Sequence, residues 1–159
     1  DGIREQKTAL KLRDLLTAEF IELDVECRNW REAVVKSAGK LLELGYIEER
    51  YVDAMIHNIE LHGAYIVISP GFAMPHAGLD EGTKKAGMSL IRLKEPVEFG
   101  SVQPVRFFCC LSAVDNETHL QAFINLVNLL ENDEFKKTLT RASTAAQAAR
   151  IIGEFEYAL

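Results

Sequence analysis

The chain has 159 residues, enough for one domain with a core of its own and no need of disulfide or metal staples. A hydrophobic fraction of 48% and a charged fraction of 26% exclude a disordered or low-complexity chain. The net charge of -6 argues against a nucleic-acid reader, which needs a basic face, and no apolar run approaches the length of a bilayer span.

Residues 1–10 begin polar and read as an extension or linker ahead of a domain over 11–159. The first residue is Asp1 and not methionine, which leaves room for a longer parent protein. Leu12, Leu15 and Leu16 make a short helical stripe. Ile21, Leu23 and Val25 alternate with Glu22 and Asp24, the period of a half-buried strand. Asn29 suits the cap of a helix carrying Trp30, Val34, Ala38, Leu41 and Leu42, with Gly45 as its stop. A second helix is predicted from about Glu48 to Leu61, with Val52, Met55, Ile56 and Ile59 inward and Gly63 at its end.

Ala64 to Ile68 is apolar and β-branched and predicts a strand. The ten residues Ser69 to Gly78 hold two prolines and two glycines and read as a loop. Gly87 to Leu93 predicts a strand, and Lys94 to Gln103, with Pro96 and Gly100, a connection. Val105 to Ala113 is almost continuously apolar, as in a strand covered on both faces. Asp115 and Asn116 offer caps for a helix whose buried stripe is Phe123, Ile124, Val127 and Leu130. Phe135 to Leu139 and Ala145 to Ile152 complete the chain as helices. Helices intermixed with strands predict a single α/β domain, a mixed sheet with helices on both faces.

His76 is the leading candidate for chemistry. Pro75 restricts the backbone before it, Ala77 and Gly78 keep bulk away, and Phe72 and Met74 can anchor the loop in the core. An accessible imidazole held in one direction is a useful nucleophile. Local physics alone leaves phosphoryl acceptor, general base, metal ligand and plain loop histidine all open. His119 falls near the start of a helix, where free N–H groups favour an anion. By position alone it reads first as a polar surface residue.

His57 and His62 are five apart, share no helix face and belong to no ligand pattern. Cys109 and Cys110 are adjacent in a strand, so they point to opposite faces of the core. With Cys27 they make an odd set without framework spacing, which fits a reducing compartment such as the cytoplasm. The sequence contains no dinucleotide fingerprint, phosphate loop or nucleophile elbow.

The stretch YIVISPGFAMPHAG, followed by LIRLKEPVEFG and LSAVDNETHLQAF, resembles enzyme IIA of the bacterial phosphoenolpyruvate-dependent sugar phosphotransferase system. The likeness runs from about Lys11 to Ile152 within the mannitol/fructose-type superfamily, and is nearest the ascorbate-type branch. It implies that His76 takes a phosphoryl group on Nε2 from the phosphocarrier protein HPr. The group then passes to a cysteine of an enzyme IIB component, with His119 as the stabilising partner. It implies no cofactor or metal, no nucleic acid contacted directly, and a membrane reached only through enzyme IIC. Many relatives carry glycine after the active histidine; Ala77 matters only if that position needs positive φ. Within the same family, a regulatory domain of a transcription regulator or antiterminator is the alternative. A hydrolase or metal enzyme using His76 and His119 is the competitor of another class, and the sequence offers it no third ligand.

Overall fold

The computed structural model describes residues 9–159. Of the expected N-terminal extension, residues 1–8 lie outside the described residues. The described chain forms six α-helices around a five-stranded mixed sheet of order β1-β4-β5-β3-β2. The elements are α1 (Leu12–Leu15), β1 (Ile21–Val25), α2 (Trp30–Glu43), α3 (Glu49–His62), β2 (Val67–Ser69), β3 (Phe72–Ala73), β4 (Gly87–Phe99), β5 (Val102–Ser112), α4 (Leu120–Leu130), α5 (Asp133–Thr140) and α6 (Ala145–Tyr157). Among the described residues no helix is long and apolar enough to cross a membrane.

Strand β4 runs parallel to β1 and antiparallel to β5, and β5 runs parallel to the short β3. Side chains alternate across this sheet into two cores. Phe72, Met88, Leu90, Phe107 and Cys109 face α1, α4, α5 and α6. Ala73, Ile91, Phe108 and Cys110 face α2 and α3. Cys109 and Cys110 are thus buried on opposite faces, as the period of two requires. Burial pushes the Cys109 thiol up to about 12 and raises that of Cys110 further, so both are packing groups rather than thiolates.

Most element bounds follow the sequence pattern. Asn29 caps α2 by accepting from Glu32 N at 2.9 Å, and Gly45 and Gly63 take positive φ after their helices. Four expectations about the course and faces of these elements need correction. Residues Ala64–Ile66 form a 3-10 turn, and the strand begins only at Val67. The connection expected over Lys94 to Gln103 is a hairpin: β4 continues to Phe99 and β5 starts at Val102. Gly100, with φ 62, makes that tight turn, and Pro96 is tolerated where the β4–β5 register shifts between Arg92 and Val97. Val25 does not share a face with Ile21 and Leu23. Asp24 has φ 55 at a register shift, and this bulge turns Val25 into the opposite core.

The fourth correction concerns α4. Its buried residues are Ala122, Asn125, Leu126, Leu129 and Leu130; Phe123 and Val127 are half-buried, and Ile124 is 41% exposed. The helix is apolar on nearly every side, so periodicity does not select its inner face. A polar network does. Glu156 on α6 accepts from Leu12 N at 2.6 Å and Arg13 N at 2.9 Å, and from Asn125 Nδ2 at 2.8 Å. That buried carboxylate satisfies the first N–H groups of α1 and draws Asn125 inward with it. Trp30 and Ile56, expected in the core, are half-buried at its rim.

Candidate functional site

Two parallel strands bring the candidate residues together. β3 pairs with β5 through Phe72 with Phe107 and Ala73 with Phe108, so both chains leave the sheet at the same end. The Pro-His loop follows β3 and the turn bearing His119 follows β5. A Pro70–Gly71 turn, with Gly71 at φ 79, delivers β3 from β2. Phe72 and Met74 are buried to 2% and 0% exposure, which anchors the loop as its residue types imply.

The loop is then stitched to β5. Leu111 N donates to Pro75 O at 3.0 Å. The hydroxyl of Tyr51, on α3, donates to Leu111 O at 2.6 Å and accepts from Ala77 N at 3.0 Å. His76 itself is half-buried. Its Nδ1 lies 2.8 Å from Met74 O. A carbonyl oxygen only accepts, so Nδ1 carries a proton, and in the neutral ring Nε2 then keeps the lone pair. Tyr65 packs edge-on against the His76 ring with centroids 5.7 Å apart, and His62 packs edge-on against Tyr65. Ala77 has no positive φ, so the expected glycine is not required by the backbone there.

His119 stands one step earlier than the first turn predicted for it. It is the N-cap residue of α4, and its own side chain makes no capping hydrogen bond. Asp115, expected as the helix cap, instead closes the preceding turn by accepting from Glu117 N at 2.9 Å and from Thr118 N and Oγ1 at 2.7 Å. The Nδ1 of His119 is buried with no hydrogen-bond partner among the described residues. Burial lowers the pKa of His119 from its ordinary 6.5; Asp115 opposes that shift and the nearby His76 adds to it. The two rings therefore lie within electrostatic reach of each other. His57 and His62 are exposed on α3, and His57 has no part in this constellation. Among the described residues no three His, Cys, Asp or Glu side chains gather as a metal site.

Tyr51 and Tyr65 escaped the sequence reading. Tyr51 carried a signal, because it sits four residues before Met55 on the same buried stripe, and a buried phenol needs a partner for its hydroxyl. Tyr65 carried none that local pattern distinguishes from a strand aromatic.

Residues 14–155 match the family described as "Phosphoenolpyruvate-dependent sugar phosphotransferase system, EIIA 2". The ascorbate-specific PTS system EIIA component of Escherichia coli (strain K12) is 38% identical over 147 residues, covering 90% of this chain and 96% of that protein. The solution structure of the mannitol-specific cryptic phosphotransferase enzyme IIA CmtB from Escherichia coli is 34% identical. It superposes with a TM-score of 0.82 over 91% of this chain and 99% of that one. The mannitol enzyme IIA of Escherichia coli, solved in complex with phosphorylated enzyme IIB, shares the fold at 24% identity and a TM-score of 0.75, over 87% and 97% of the two chains. The chain belongs to the mannitol/fructose-type enzyme IIA family of the sugar phosphotransferase system, and it is a phosphoryl-carrier domain of that relay.

Proposed function

We propose that this domain carries its phosphoryl group on Nε2 of His76, receives it from phospho-HPr and delivers it to a cysteine of an enzyme IIB component in the cytoplasm. The observation that carries the reading is the hydrogen bond from His76 Nδ1 to Met74 O. It commits the resting ring to the tautomer whose Nε2 is a nucleophile. In the first step the Nε2 lone pair attacks phosphorus, and the P–N bond to the donor imidazole breaks with its electron pair leaving on that ring. In the second, a thiolate attacks phosphorus and the bond to Nε2 breaks. A proton kept on Nδ1 makes the His76 ring a better leaving group for this second step. The energy resides in the donor's phosphoramidate, so alignment and charge stabilisation are what remain for the protein to supply.

His119 is the proposed stabilising partner, its ring donating to a phosphoryl oxygen at the start of α4. The 38% identity to an ascorbate-specific component supports an ascorbate-type system. Residues 1–10 are proposed as an extension to the relay domain over 11–159.

The test is incubation with phosphoenolpyruvate, enzyme I and HPr, read by mass spectrometry of the intact chain. One acid-labile, base-stable phosphoryl group is expected, and none on a folded His76→Ala variant. Stoichiometric labelling of that variant would overturn the reading.

A further inference from the structure

Tyr51 is fully buried, at 0% exposure, among the apolar side chains that α2 and α3 press onto the sheet. A phenylalanine would fill the same space without a hydroxyl to desolvate. The hydroxyl of Tyr51 has two partners, Leu111 O at 2.6 Å and Ala77 N at 3.0 Å. Leu111 also donates its own N–H to Pro75 O at 3.0 Å. The residues on either side of His76 are thus bound to one residue of β5, Pro75 directly and Ala77 through the phenol.

We propose that Tyr51 is a positioning residue for phosphoryl transfer: its hydroxyl clamps the backbone after His76 to β5 and so sets the line along which Nε2 meets phosphorus. The inference rests on His76 being the carrier. Pro75 limits the chain before the histidine, but nothing in the residue types Ala77 and Gly78 restrains the chain after it. The Tyr51 bond supplies that restraint. With the backbone held on both sides, the ring keeps rotation about its own bonds, and the bond from Nδ1 to Met74 O removes that. Burial raises the pKa of the Tyr51 phenol well above its ordinary value, so it stays protonated and keeps donating to Leu111 O at any working pH. The direction of the circuit does not reverse: β5 carbonyl from phenol, phenol from loop N–H. In-line transfer is sensitive to such placement; a displacement near 1 Å costs on the order of 100-fold in rate.

Tyr51→Phe removes the hydroxyl and keeps the ring. The Ala77 amide should then exchange with solvent at least about tenfold faster, the equivalent of one hydrogen bond, while amides of β4 keep their protection. The His76 ring should lose its single Nδ1–H tautomer in nitrogen-15 NMR spectra. Phosphoryl uptake from phospho-HPr should slow by roughly 10- to 100-fold, still on His76. A uniform loss of protection across the sheet, with the tautomer intact, would mark Tyr51 as a packing residue only and overturn the proposal. So would an unchanged Ala77 amide, or an unchanged transfer rate. If the variant does not fold, the native protein decides: the Tyr51 hydroxyl proton should be visible by NMR with a cross-peak to the Ala77 amide. A hydroxyl proton exchanging at the solvent rate would overturn the clamp. Labelling of His76→Ala would sink the carrier reading instead, while the Ala77 exchange and the tautomer still judge the clamp by themselves.

Discussion

Replacing His119 by alanine probes the proposed stabilising partner and leaves the proposed carrier, His76, in place. In the resting protein burial and the neighbouring His76 both lower the pKa of His119 against the pull of Asp115, a shift that favours the neutral ring. Its Nδ1 has no partner among the described residues. A dianionic phosphoryl group on His76 changes that balance, since a close opposite charge favours the protonated ring. The hydrogen bond then formed is charge-assisted and contributes about 1.5–3 kcal/mol. If it forms only as charge develops in the transition state, its loss slows transfer by roughly 10- to 150-fold, at about 1.4 kcal/mol per factor of ten. Rapid-quench kinetics with phospho-HPr, and then with enzyme IIB, measure both half-reactions, and thermal unfolding confirms that the variant folds. His119→Ala should still label on His76, slowly in both directions. His119→Gln should lose less, because its amide still donates. Unchanged rates in both half-reactions would refute the assignment.

The same ring predicts a pH dependence. The folded pKa of His119 lies below its ordinary 6.5, so the unfolded chain binds the proton more tightly and stability falls as pH drops through that value. The His119→Gln variant should lose that part of the decline in denaturant titrations between neutral and acid pH, and identical curves would contradict it. By NMR titration, the His119 pKa should rise in His76→Ala and rise again when native His76 is phosphorylated. The orientation of α4 is testable by truncation: Leu126→Ala, at 2% exposure, should cost about 2–5 kcal/mol, and Ile124→Ala, at 41%, about 0.5 or less. Equal losses at the two positions would mean that the helix is rotated from the face described.

Much of this architecture is legible because local chemistry and tertiary position agree. Helices α2 and α3 carry one apolar stripe each, and that stripe is what the sheet buries. β5 is apolar on both faces, and the structure covers both. Phe72 and Met74 are the large residues of a loop otherwise made of small ones, and they go inside. Where the reading missed, the local signal was degenerate. α4 offers apolar residues on every side, and burying Asn125 in preference to Phe123 makes sense only once Glu156 stands opposite. Arg92 is a parallel case: a charged residue inside β4, it is buried because its guanidinium donates to Leu139 O, Thr140 O and Ala142 O at the end of α5.

The sequence by itself determined that His76 sits in a loop that the backbone before it stiffens, that small neighbours leave it approachable, and that the strand following leads to a second histidine. Those properties belong to residues adjacent in the chain. Only the tertiary structure decided that β3 and β5 run side by side, which sets His76 and His119 at one end of the sheet. It alone supplied Tyr51, which reaches Ala77 from 26 residues away and Leu111 from 60. The physical reason is that a hydrogen bond between distant segments depends on strand order and register, set by the packing of two whole cores against the sheet. No window of neighbouring residues encodes that arrangement.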